Sequence, residues 1–235
     1  MSWRREIAAA DASVYVPFAM FAPSRFRRFW SICTLLAVSA AAASAGEVAY
    51  ENDFEKADLG KAPAEFTIFA GAFKVAAEGG NKFFELPGDP VDAYGFLFGP
   101  GAPGDALASA RIFGTKLGRR FPAFGLSLCG AGGYRLQVSP GKKALEIIKG
   151  DESKVSVPYD WTSGVWTHLV LKVHKAGAGW VAEGKAWAEG SPEPADWLIK
   201  FEDPEETKPG RAGVWGTPFS GTPIRFDDLR LENLP

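Results

Sequence analysis

Apolar residues recur at every second position in short runs, and nearly every run is closed by Gly, Pro, Asn or Asp. The clearest runs cover 72–77, 82–86, 94–98, 107–113, 124–129, 134–138, 145–149, 166–174, 180–187 and 224–231. A period of two is the signature of a strand with one buried face, and the intervening residues are those that turns require. No window of twelve or more residues carries a stripe of period 3.6. The 27 Gly and 17 Pro are dispersed without a repeat, which excludes a collagen-like chain and matches frequent turns. The fold class expected is all-β: a two-sheet antiparallel sandwich of a dozen or more short strands.

Residues 1–45 stand apart from this pattern. Arg25, Arg27 and Arg28 precede an apolar run over 29–38, and small residues follow to Ala43-Ser44-Ala45. That order is a secretory signal peptide, with cleavage expected after Ala45 and a secreted or periplasmic product. The rival is an uncleaved anchor, although the run is short for a hydrocarbon core about 30 Å thick. Residues 1–19 precede the basic region, unlike a signal peptide. Met20 is the only other methionine, and a start there gives a signal of ordinary length.

The remaining chain, 46–235, is expected to form one domain and to be a monomer. It holds 21 basic and 26 acidic residues, a net charge of −5. Such a balance argues against general nucleic-acid binding, which needs a basic surface. Cys129 is its one cysteine, so no internal disulfide can form and the core must supply the stability. About 190 residues bury roughly 70% of their unfolded surface, which suffices. Cys129 itself reads as a small residue of the strand run 124–129, and no histidine pattern supports a reactive thiol.

Several side chains carry chemistry. Glu51, Asp53 and Glu55 alternate, and on a strand their carboxylates would line one face about 6.5 Å apart. Asp227-Asp228 interrupts the alternation of 224–231, as a β-bulge would. In a sandwich whose first and last strands meet, Asp53 and Glu55 approach Asp228. A structural Ca²⁺ shared by Asp53 or Glu55 with Asp228 is the cofactor expected, the other reading being solvent-facing acids of an edge strand. His168 and His174 would lie about 20 Å apart on one strand, too far to share a metal. Trp180 and Trp187 point to opposite faces. If Val181 belongs to the core, Trp187 joins it and Trp180 is the outward ring, available to a ligand. Opposite the apolar sets Phe124/Leu126/Leu128 and Leu136/Val138, a polar stripe carries Ser127, Arg135 and Gln137. Arg111 shares a face with Leu107 and Phe113, and so is either paired with a buried acid or aimed into a ligand groove.

Residues 50–55 read Tyr-Glu-Asn-Asp-Phe-Glu, Phe73-Lys74-Val75 follows a turn, and Phe226-Asp227-Asp228-Leu229 closes the chain. With Gly164-Val165-Trp166-Thr167-His168-Leu169 and Pro209-Gly210-Arg211-Ala212-Gly213, these segments resemble the concanavalin A-like (LamG-type) jelly-roll domains of secreted bacterial proteins. The resemblance implies the sandwich, and a glycan-binding or adhesion module whose partner is a polysaccharide or glycoconjugate. It also keeps open a glycoside-acting enzyme, since laminarinase-type members use an E-x-D-x-E strand, and a structural envelope protein without a small ligand. Here that motif opens the domain, and Asn52 stands where those enzymes carry Leu or a β-branched residue, so catalysis is not expected. Arg111, Ser127, Arg135, Gln137 and Trp180 are the candidate ligand contacts. Asp53, Glu55 and Asp228 are the candidate cation ligands.

Overall fold

The computed structural model describes residues 46–235, apart from Pro103 and Glu206. The expected signal segment therefore lies outside the described residues. Among the described residues fifteen strands follow in order: β1 (Glu47–Asn52), β2 (Thr67–Ala70), β3 (Lys74–Glu78), β4 (Asn81–Leu86), β5 (Tyr94–Ala102), β6 (Ala106–Phe113), β7 (Ala123–Leu128) and β8 (Tyr134–Ser139). Then come β9 (Ala144–Lys149), β10 (Glu152–Pro158), β11 (Thr167–Ala176), β12 (Gly179–Ala188), β13 (Ile199–Asp203), β14 (Gly210–Thr217) and β15 (Ile224–Asn233). One 3₁₀ turn, Pro140–Lys142, joins β8 to β9. The strands form two antiparallel sheets packed as a sandwich. One has seven strands in the order β10-β9-β8-β7-β14-β5-β2, and the other eight, β13-β12-β11-β6-β15-β4-β3 with β1 added along β15.

All ten runs read from alternation are strands. Cys129 is not one of their residues: it lies just past β7 with φ +67°, in the turn toward β8. Burial pushes its thiol up to about 11, leaving it a poor nucleophile at neutral pH. The inner faces meet in a core that is aromatic at one end, with Phe54, Phe66, Phe73, Phe84, Phe96 and Phe226, and aliphatic at the other, with Leu126, Leu136, Ile147, Leu169, Leu171 and Val173. Phe96 stacks on Phe66 at 4.7 Å between ring centres and meets Phe84 edge-on at 5.0 Å. Those edge and offset geometries suit the ring quadrupoles.

On β6 the inward residues are Ala106, Ala108, Ala110 and Ile112, whereas Leu107 and Phe113 face out. The sequence expectation for Arg111 took that apolar pair to mark the core side; the inner side is instead the alanine side. The expectation for β12 is corrected in the same way. Val181 is buried yet pairs with His174 on the outer side, and Trp180 shares the parity of Ala182 and packs against the core. Trp187 is the outward ring, stacked on His168 at 5.0 Å.

Candidate functional site

The outer side of the seven-stranded sheet gathers the polar stripe. Ser127 on β7 is in register with Arg135 on β8, and Gln137 is in register with Gly125 and with Glu146 on β9. Directly paired residues point the same way, so Ser127, Arg135, Gln137 and Glu146 share one face. On β14, Trp215 lies opposite Gly125 on one side and Gly95 of β5 on the other. A Cβ at Gly95 would come within 3.0 Å of the Trp215 ring, and one at Gly213 within 2.9 Å of Ser127 Oγ and 2.8 Å of Leu97 Cδ2. Glycine at these positions is what lets the indole lie across its neighbouring strand.

Trp215 is held from both sides. Its indole N–H donates to Ser127 Oγ at 3.2 Å, and Phe69, just on the far side of Gly95, stacks on it at 5.7 Å with ring planes 22° apart. Phe69 is 45% exposed, while Trp215, packed by Phe69 and Arg135, is half-buried. Ser127 is only 2% exposed and lies beneath the ring as its support. The Arg135 guanidinium sits 5.1 Å from the Trp215 ring centre. Its Nε is hidden from solvent and meets no acceptor, and burial lowers its affinity for the proton.

Glu146 completes this face. It is 2% exposed and accepts from Ser139 Oγ at 2.5 Å, Ser153 Oγ at 2.9 Å and Lys142 Nζ at 3.0 Å, while Gln137 Nε2 donates to Ser139 Oγ at 3.0 Å. Burial works against ionisation of Glu146, but these donors outweigh it and hold the carboxyl below its ordinary range. Alternation within β7 and β8 singles out Ser127, Arg135 and Gln137. The aromatic half was hidden because β14, Gly-Arg-Ala-Gly-Val-Trp-Gly-Thr, shows no clean alternation of apolar residues, its glycines interrupting it.

Arg111 and Trp180 lie elsewhere, on the eight-stranded sheet. Arg111 lies on its outer face beneath the Trp166 ring at 4.8 Å, and pairs with Asp227 at 2.8 Å, Asp228 at 2.7 Å and Glu189 at 3.2 Å. Asp227 is fully buried and also accepts from Asn81 at 2.8 Å. Of the two alternatives for Arg111, the structure shows pairing with a buried acid. The structure thus brings together Ser127, Arg135 and Gln137, and leaves Arg111 and Trp180 apart from them.

The carboxylate ladder is not a ladder. β1 ends at Asn52, whose Oδ1 accepts from the Phe54 N–H at 2.8 Å, and Phe54 turns through φ +57° to bury its ring. Asp53 then accepts from the Glu55 N–H at 3.1 Å, and Glu55 from the Lys82 N–H at 2.8 Å. The first and last strands do pair, Asn52 opposite Leu229, and β15 has its irregularity between Asp227 and Arg230, with Asp228 at φ +49°. Asp53 and Asp228 consequently line one hollow with Glu51, Lys56 and Arg230. Glu55 is engaged away from it, Asp228 Oδ2 lies 2.7 Å from Arg111 Nε, and no three His, Cys, Asp or Glu side chains among the described residues are grouped to hold a metal. Calcium takes six to eight oxygens, and these residues do not fit that demand.

No protein-family model matches the chain, and a search of curated proteins finds no match. Solved structures do resemble it. A Bacillus subtilis protein of unknown function with a galectin-like fold aligns over 80% of this chain and 96% of its own, with TM-score 0.56 and 11% identity. The carbohydrate-binding module CBM66 from Bacillus subtilis aligns over 72% of this chain and 96% of its own, with TM-score 0.51 and 15% identity. The catalytic domain of a glycoside hydrolase family 131 protein from Coprinopsis cinerea aligns over 81% and 96%, with TM-score 0.53 and 10% identity. At these identities the likeness is one of fold: this chain is an antiparallel jelly-roll β-sandwich, a fold shared by binding modules and hydrolases.

Proposed function

We propose that the protein is a glycan-binding module without catalytic activity, and that sugar rings lie on the outer face of the seven-stranded sheet. The observation that carries this reading is the exposed Phe69 stacked on the half-buried Trp215 beside Arg135 and Gln137. The apolar faces of sugar rings stack on flat aromatic rings, while hydrogen-bonding groups at the edge fix their orientation. The carbohydrate-binding module among the fold neighbours supports it, and the LamG-type affiliation suggested by residues 50–55 and 224–231 belongs to the same proposal. Glycoside hydrolysis uses two carboxyl groups roughly 5–10 Å apart. On this face Glu146 is buried and committed to Ser139, Lys142 and Ser153.

A glycan array paired with a reducing-sugar assay tests the reading. Binding without turnover is expected, and Trp215→Ala should weaken it about 30-fold or more, the loss typical of a central tryptophan anchor. Release of reducing ends by the wild type would replace the module with an enzyme.

A further inference from the structure

Among the described residues, each buried or half-buried arginine head lies within ion-pair or hydrogen-bond reach of acceptors of the protein itself, with one exception. Arg111 meets three carboxylates; its Nε makes no aligned hydrogen bond, but Asp228 lies 2.7 Å from it. Arg225 bonds to Glu78 and Glu85, and Arg211 donates to the Gly99 and Glu65 carbonyls and to Thr67 Oγ1. Arg135 has no such partner among the described residues. Asp151 and Glu146 attract it from a distance, but neither pairs with it, and Glu146 is already balanced by Lys142. A partly desolvated guanidinium with a hidden, unpartnered Nε is a cost that the fold does not recover internally. It stands at the end of the aromatic platform, where the planar fork can take two oxygens of one anionic group.

We propose that Arg135 recognises a negative charge on the sugar, so that the ligand is an acidic glycan bearing carboxylate or sulfate groups. This rests on the glycan-binding reading above and deepens it. The sugar ring packs against Phe69 and Trp215, and its charged group reaches past the indole to the guanidinium. Ser127 acts through Trp215, as a positioning residue.

Paired probes separate the charge from the ring. Oligomers of galacturonate, glucuronate and mannuronate are compared with their methyl esters, and sulfated galactan oligomers with desulfated ones, by calorimetric titration. In at least one pair the charged member should bind roughly 10- to 100-fold more tightly, as charged hydrogen bonds imply, and the pair that does so tells carboxylate from sulfate. Arg135→Gln should bring that ratio to about one while the neutral member still binds. Arg135→Lys, which keeps the charge without the fork, should retain part of the preference and shows that the fold survives. Equal binding of charged and neutral members, or a ratio unchanged in Arg135→Gln, overturns the inference; the glycan-binding reading then stands on Trp215→Ala alone. Absence of binding to every probe in the array overturns both.

Discussion

The two outer faces carry the same pair of side chains in opposite surroundings. On the eight-stranded sheet Arg111 lies against Trp166 at 4.8 Å, and on the seven-stranded sheet Arg135 lies against Trp215 at 5.1 Å. Around Arg111 the chain supplies Asp227, Asp228 and Glu189; around Arg135 the one nearby buried acid, Glu146, is neutralised by Lys142. An arginine stacked on tryptophan is therefore not in itself a sign of a ligand. What distinguishes the faces is whether the arginine is paired within the fold: Arg111 is, and Arg135 is not, which is the difference the proposal for Arg135 rests on.

The sharpest way to break this comparison is to remove each guanidinium in turn. Arg111→Met strands the buried Asp227, whose carboxyl burial already pushes up from its ordinary value. Breaking a buried pair from one side costs about 3–5 kcal/mol, which should lower Tm by roughly 10 °C or more. Arg135→Met strands nothing and should change stability by at most about 1 kcal/mol, in either direction. Equal losses in a thermal melt would show that the faces do not differ in this way.

Glu146 gives an intermediate effect with a defined pH dependence. Its folded-state pKa is depressed, so its contribution is present above the unfolded value near 4.3 and is lost as pH falls through the lower, folded value. Glu146→Gln should cost about 1–3 kcal/mol at pH 7 by leaving Lys142 unbalanced on a buried amide. The difference from wild type should narrow as pH falls below the unfolded value toward the lower, folded one. Urea titrations at pH 7 and pH 3 measure it, and a constant difference would mean that the carboxylate charge is not what Glu146 contributes.

The smallest effect expected is that of calcium. With Glu55 turned to Lys82 and Asp228 held by Arg111, thermal melts in chelator and in millimolar calcium should coincide. A site filled at a hundredfold excess over Kd would add about 2.7 kcal/mol, so a shift of several degrees would be plain. Abolition of such a shift by Asp228→Asn would restore the clamp expected from the sequence.

Period-two alternation was enough to read ten strands and to place Ser127, Arg135 and Gln137 on one side, because β7 and β8 bury large residues on the other. It misled where size and burial part company. On β6 the inner positions are alanines, while the outward Phe113 is covered by Trp166 at 5.5 Å and Arg225 at 5.3 Å, so the larger residues mark the wrong side. β14 was missed because the glycines that suit a turn also suit a crowded central strand. The end of β1 was misread because Asn52 offers its side chain to the backbone two residues on, a local bond that competes with strand continuation. The aromatic half of the candidate site depends on β14 and on Phe69 reaching across Gly95, contacts between distant segments that no local pattern announces.

β1 lies along β15 with Glu47 opposite Asn233, so the chain enters and leaves the sandwich at one point on its rim. A unit whose two ends meet can be spliced into a surface loop of another protein through two short connectors, without stretching or re-threading either partner. Because that junction belongs to the eight-stranded sheet, hosts or linkers joined there leave the Phe69–Trp215 platform unobstructed. In the vocabulary of engineering, the domain is a cassette with its plug on one sheet and the proposed reading head on the other.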